Sequence, residues 1–173
     1  PRPETRVKIL GDIDVGDPEA LNRLHDHAVA ELGHVDFLIN NAGISGAEEM
    51  VIDMTRADWD RTIEANLISN YSLIRKLSPA MKAGGKGSIL NVSSYFGGEK
   101  YVAVAYPNRA DYAVSKAGQR VLAEILSRHL GPEIQINALA PGPVDGARLR
   151  GSAEAPGLFD RRGLLVLENK RLN

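Results

Sequence analysis

Short apolar, β-rich runs at 7–10, 35–39, 88–92 and 134–139 alternate along this chain with longer stretches whose apolar residues recur at helical spacing. Parallel strands need crossovers of a dozen or more residues, and helices of this length supply them. The alternation therefore predicts an α/β fold, a doubly wound parallel sheet with right-handed crossovers and helices on both faces. In such sheets ligands sit beyond the carboxyl ends of the strands.

Local signals place the elements more closely. Asp17 precedes Pro18, a side-chain cap followed by a residue pre-set for the first helical turn, and Gly33 ends that helix. Its inner face should carry Leu21, Leu24, Ala28 and Leu32. Thr55 and Asp58 start a longer helix with Trp59, Ile63, Leu67, Tyr71, Ile74 and Leu77 on one side, dissolving at Gly84 and Gly85. A third helix over 110–129 should bury Ala113, Ala117, Val121, Leu122 and Ile125. Residues 1–150 read as one domain and 151–173 as a substrate lid or helical extension, with 151–157 loosely structured.

Composition narrows the function classes. A chain of 173 residues, 43% of them hydrophobic, can bury one core and is short for two ordinary domains. Lys and Arg number 21 against 22 Asp and Glu, so no basic excess is available to grip nucleic acid or an anionic membrane. No run of eighteen apolar residues occurs, and the opening residues lack the apolar segment of a signal peptide, as in a cytoplasmic protein. Cysteine is absent, which fits a reducing compartment and removes thiolate metal sites. His25 and His27 stand two apart on a helix and point different ways, so no metal is expected.

Tyr112 and Lys116 are spaced by four on the third helix, which puts both side chains on one face, one turn apart. An ammonium beside a phenol favours the phenolate and eases release of the phenolic proton. Tyr112 is then a usable general acid. Such pairs also meet by chance on many helices, and the surrounding motifs decide the matter.

Those motifs are Asn40-Asn41-Ala42-Gly43 after one strand, Asn66 in the next helix, Ser93-Ser94 after the following strand, Tyr112-Ala-Val-Ser-Lys116, and Pro141-Gly142-Pro143-Val144. In this order, over residues 9 to about 144, they resemble the short-chain dehydrogenase/reductase family. The resemblance implies a Rossmann-like sheet and a nicotinamide cofactor. It implies that Ser94 binds the substrate carbonyl oxygen, Tyr112 transfers the proton, Lys116 also holds the nicotinamide ribose, and Asn66 anchors a water linking Lys116 to solvent. Asn41, Ala42 and Gly43 would line the adenosine side of the cofactor channel, Asp14 and Val15 would meet the adenine, and Pro141, Gly142 and Val144 the carboxamide. It also implies a homodimer built on the Asn66 and Tyr112 helices. Each residue type has an ordinary structural use as well: Asn bridges backbone in helices, Ser ends strands, Gly forms turns, and Asp12 and Asp17 rival Asp14.

The chain departs from that family in two ways. No glycine-rich phosphate loop occurs, and Gly84-Gly85-Lys86-Gly87 joins helix to strand and is a turn. The sheet is thus expected to be incomplete at both ends, as in part of a longer polypeptide, and these residues alone should bind cofactor negligibly and be inactive. Tyr112 also follows Ser94 by eighteen positions, several more than the family spacing, which enlarges the loop over the site. That loop, together with the segments Glu-Glu-Met-Val-Ile-Asp-Met, Ala-Asn-Leu-Ile-Ser-Asn-Tyr-Ser-Leu and Leu-Glu-Asn-Lys-Arg-Leu-Asn, is similar to thioester-reducing bifunctional members of the family. This implies NADPH-dependent reduction of malonyl-CoA to malonate semialdehyde with release of CoA, on the way to 3-hydroxypropionate. A free carboxylate on the substrate calls for an arginine fork, for which Arg109, Arg148 and Arg150 are the candidates and Arg120 lies nearby. Two readings stay open beside this one: a generic alcohol or ketone reductase, and a catalytically silent dinucleotide-binding fragment.

Overall fold

The computed structural model describes residues 7–98 and 106–142. Three strands, β1 (Phe37–Asn40), β2 (Gly87–Val92) and β3 (Ile134–Leu139), form a parallel sheet in the order β1-β2-β3. Phe37 lies beside Ser88 and Gly87 beside Ile134, which brings the carboxyl ends of the strands to one edge. Helix α1 (Pro18–Leu32) precedes β1. Helix α2 (Arg56–Ile63), a π-helical segment (Glu64–Ile68) and α3 (Ser69–Ala83) run on without a break to join β1 to β2. Two 3-10 turns, Tyr95–Gly97 and Pro107–Arg109, and helix α4 (Ala110–Leu130) lie between β2 and β3. This is the parallel α/β sheet of Rossmann type that the alternation predicts.

The caps act as read from sequence. Asp17 accepts from the Glu19 amide at 2.9 Å with Pro18 behind it, and Gly33, at φ +74°, donates to the Val29 carbonyl. Thr55 accepts from the Asp58 amide at 3.2 Å to start α2. The core lies between α3, α4 and one sheet face, where Ile74, Leu77, Met81, Ile89, Ala123, Leu130, Ile134 and Ile136 are buried. Burying each large aliphatic side chain contributes about 1.5–3 kcal/mol before chain entropy is counted.

The described residues differ in three details from the sequence reading. Residues 7–10 form no strand: a strand exists only with a hydrogen-bonded neighbour, and among the described residues these have none. Val7 and Ile9 are exposed, while Lys8 pairs with Glu31 at 2.7 Å. Helices cover one sheet face only among the described residues, and Phe37, Ile39 and Leu139 on the other face are exposed. The inner faces of the long helices also differ from the apolar periodicity. Val121 and Ile125 are exposed on α4, and Tyr71 on α3, whereas Thr62, Asn66, Ser69, Asn70, Asp111, Ser115 and Gln119 are buried. Polar residues take the inner stripe because they find hydrogen-bond partners there, and the wider π turn re-aims the face between α2 and α3.

The chain divides into two compact units, Pro1–Ala140 and Pro141–Asn173, and every element above belongs to the first. In the second, Pro141 is half-buried and Gly142 exposed. Val144, Arg148, Arg150 and the expected lid over 151–173 lie outside the described residues. No helix among the described residues is long and apolar enough to cross a membrane.

Candidate active site

The site is built where β1 and β2 end. Asn40 and Asn91, buried on adjacent strands, are joined side chain to side chain at 2.9 Å, and Asn91 donates to the Gln119 carbonyl of α4 at 3.3 Å. Beyond Val92, the Ser93 amide donates to the Leu139 carbonyl at 2.7 Å and its hydroxyl to the Lys116 carbonyl at 2.6 Å. These bonds fix the end of β2 against both β3 and α4. The chain then turns at Ser94, which is buried and caps the Tyr95–Gly97 turn by accepting from the Phe96 amide at 3.3 Å.

Helix α4 presents Tyr112 and Lys116 to this corner. Lys116 is only 5% exposed, and its Nζ donates to the Val92 carbonyl at 2.8 Å and to Gln119 Oε1 at 3.3 Å. The same Nζ lies 5.8 Å from the centre of the half-buried Tyr112 ring. Phe96 meets that ring edge to face at 5.8 Å between centroids. A partly open phenol beside an anchored ammonium can give a proton to an oxygen anion forming in front of it.

Asn66, wholly buried in the π-helical segment, ties this corner to the loop after β1. Its Oδ1 accepts from the Ile44 amide at 2.8 Å, and its Nδ2 donates to the Ile44 carbonyl and the Ser115 hydroxyl, each at 3.0 Å. Gln119 donates from Nε2 to the Asn66 carbonyl and accepts from Lys116 at Oε1, so one buried amide connects Asn66 to Lys116. Gly43 is required by this arrangement: a Cβ there would stand 2.7 Å from Asn66 Oδ1 and 3.7 Å from Lys116 Nζ. Asn41 and Ala42 are exposed at the end of β1.

Asp14 accepts from the Gly16 amide at 2.9 Å in an exposed turn, with Val15 half-buried beside it. A Cβ on Gly16 would lie 3.8 Å from the Ala65 amide, so this turn sits against the π-helical segment. Of the rivals, Asp17 is committed to capping α1. Arg109 is buried and already paired: Nη1 donates to Glu48 Oε1 at 2.6 Å and to the Ser45 carbonyl at 3.0 Å. Arg120 donates to the Gly97 carbonyl at 3.5 Å.

Sequence reading passed over Asp111, Gln119, Thr62, Ser115 and Glu48. Asp111, wholly buried, accepts from the Ala47 amide at 3.0 Å, the Thr62 hydroxyl at 2.7 Å and the Tyr112 amide at 2.7 Å. Gln119 stands three residues after Lys116, a spacing that places both on one helix face and could have singled it out.

A family model described as enoyl-(acyl carrier protein) reductase matches residues 3–163. The chain belongs to the short-chain dehydrogenase/reductase family. Among solved structures of this family, the C-domain of a bacterial malonyl-CoA reductase with NADP is 61% identical, with a TM-score of 0.78 over 88% of this chain and 23% of that one. A short-chain dehydrogenase from Streptomyces avermitilis is 27% identical, with a TM-score of 0.69 over 78% of this chain and 47% of that one. Among curated reductases and dehydrogenases, trans-4-hydroxycyclohexanecarboxylate dehydrogenase of Sinomonas cyclohexanicum is 36% identical over 87% of this chain and 57% of its own length. The 3-oxoacyl-[acyl-carrier-protein] reductase of Staphylococcus aureus is 34% identical over 75% and 50%. The chain thus spans about half the length of the curated relatives it matches.

Proposed function

We propose that this chain carries the catalytic residues of an NADPH-dependent reductase that converts malonyl-CoA to malonate semialdehyde and free CoA, on the way to 3-hydroxypropionate. The observation that carries the reading is the 61% identity, over 88% of the chain, with the C-domain of malonyl-CoA reductase. Asn41, Ala42 and Gly43 are assigned to the adenosine side of the cofactor channel: the strand end at Asn41 and Ala42 is exposed, and Gly43 lets the loop after β1 pack against Asn66 beside the Lys116 ammonium. Asp14 and Val15 are assigned to the adenine end, and Pro141, Gly142 and Val144 to the carboxamide. When bound, NADPH supplies a hydride to the thioester carbonyl carbon.

The chain's own residues do the rest. Ser94 and Tyr112 hold the carbonyl oxygen, and as the electron pair of the C=O bond moves onto it, Tyr112 gives up its proton. Lys116 holds the ribose hydroxyls and keeps positive charge beside the phenol. The neutral hemithioacetal then breaks its C–S bond; the hydroxyl oxygen becomes the aldehyde carbonyl, and its proton leaves with the sulfur as CoA thiol. Asn66 positions Lys116 through Gln119. Arg148 and Arg150 remain the candidates for the substrate carboxylate, within or ahead of a lid over 151–173. The exposed apolar stripe of Val114, Val121 and Ile125 on α4, with Tyr71 on α3, is the surface of a homodimer.

The test is substrate discrimination by the full-length protein. With NADPH it should oxidise cofactor on malonyl-CoA and release one thiol per turnover, and act poorly on simple ketones. Ketone turnover without activity on the thioester would favour a generic carbonyl reductase.

A further inference from the structure

We propose that the Glu48–Arg109 ion pair is a positioning device for Tyr112, fixing its ring against Phe96 and setting the net charge beside it. The proposal rests on the reading of Tyr112 as proton donor. The Arg109 guanidinium carbon lies 5.2 Å from the centre of the Tyr112 ring and 5.8 Å from that of Phe96, so one cation spans both rings. A solvated surface arginine would not be only 8% exposed, and a substrate clamp would present its fork to open space. Here the fork is turned inward, toward Glu48 and the Ser45 carbonyl.

The loop that delivers Glu48 is held for this purpose. Glu48 has φ +59°, a left-handed backbone that costs a non-glycine residue energy and persists only where neighbours enforce it. Asn108 donates to its carbonyl at 3.4 Å, Arg109 takes its carboxylate, and the Ala47 amide donates to Asp111. Three of the four residues before Tyr112, namely Asn108, Arg109 and Asp111, thus grip residues 45–48 of the loop after β1. Hydrogen bonds and the ion pair tie this loop to the segment that carries the phenol.

Charge makes the arrangement testable. Among the described residues, the charged groups around Tyr112 are Asp111 and Lys116 on α4, Arg109 before it and Glu48 on the facing loop; the Tyr95–Gly97 side offers Phe96, with the phenols of Tyr95 and Tyr106 packed on it. The pair is net neutral, so removing either half changes the local charge by one, in opposite senses. In the full-length protein, Arg109→Met should move the alkaline limb of the turnover profile up by roughly one pH unit, because phenolate becomes harder to form. Glu48→Gln should move it down by a similar amount, and the double variant should return it near its original place. Both single variants should lower kcat about tenfold or more with KM for NADPH little changed. Glu48→Gln is nearly isosteric, so it decides the matter alone if Arg109→Met does not fold. A limb that stays in place in Glu48→Gln, or moves the same way in both, overturns the device while Tyr112→Phe is inactive. Turnover surviving in Tyr112→Phe overturns the proton-donor reading itself, and this proposal with it.

Discussion

Burying an ammonium is tolerable only when its donors are met, and Lys116 meets two of its acceptors at Val92 and Gln119. Gln119 supplies one of those acceptors, and its other end donates to the Asn66 carbonyl. Replacing it by leucine keeps the volume and removes both bonds. Gln119→Leu should lower kcat between about ten- and a hundredfold by letting Lys116 and Asn66 drift, with the unfolding midpoint lowered as a buried carbonyl loses its partner. Steady-state kinetics beside a urea melt would check it; wild-type kcat in a folded variant would make Gln119 mere packing. At this scale the sequence was most legible for Tyr112, Lys116 and Ser94, because helix spacing and strand ends dictate where such side chains go. Gln119 and Asp111 were not legible because apolar periodicity marks the face a helix buries, and the inner stripe of α4 is polar.

Among the elements, the strands that pair were legible in place and order, since apolar runs bounded by turn residues have few alternatives. The run at 7–10 has the same composition and no ladder, which shows that a strand is a property of two segments and not of one. The continuous helix predicted from Thr55 is present, but its π-helical turn puts Asn66 inward and Tyr71 outward. No propensity scale marks that turn; it is held by tertiary bonds such as those of Asn66 to Ile44. The start of α4 depends on Asp111, which joins three elements by accepting from Ala47, Thr62 and Tyr112. Asp111→Ala removes the shared acceptor of the Ala47 and Tyr112 amides and of the buried Thr62 hydroxyl and should cost about 2–4 kcal/mol of stability, measured by chemical denaturation. A loss no larger than a surface substitution would mean that the loop after β1 docks by other contacts.

At the scale of the molecule, the surface bears more apolar area than the core reading allowed. Val114, Val121 and Ile125 are 48%, 51% and 63% exposed along one side of α4. An apolar stripe of this kind usually has a partner, and a second copy of the chain is the proposed one. Ile125→Glu places a charge in that contact and should shift the full-length protein from dimer to monomer in light scattering; a monomeric wild type would remove the dimer from the account. The residues that discriminate among carbonyl substrates were less legible than the chemistry, because they are carried by loops whose sequence has no periodic constraint. Arg109 illustrates this: its place in the enlarged loop suggested a carboxylate clamp, and its guanidinium is engaged with Glu48 instead.

The central claim, that Tyr112 supplies the proton in reduction of a CoA thioester, is tested most directly by counting CoA thiol and NADPH together on malonyl-CoA. The full-length protein should release one thiol for each malonyl-CoA reduced, with one NADPH oxidised per thiol where malonate semialdehyde is the end product and two where it is carried on to 3-hydroxypropionate, and Tyr112→Phe, still folded, should lose about a hundredfold or more of the thiol-release rate. Thiol release at the wild-type rate in Tyr112→Phe, or NADPH oxidation with no thiol released, would contradict it.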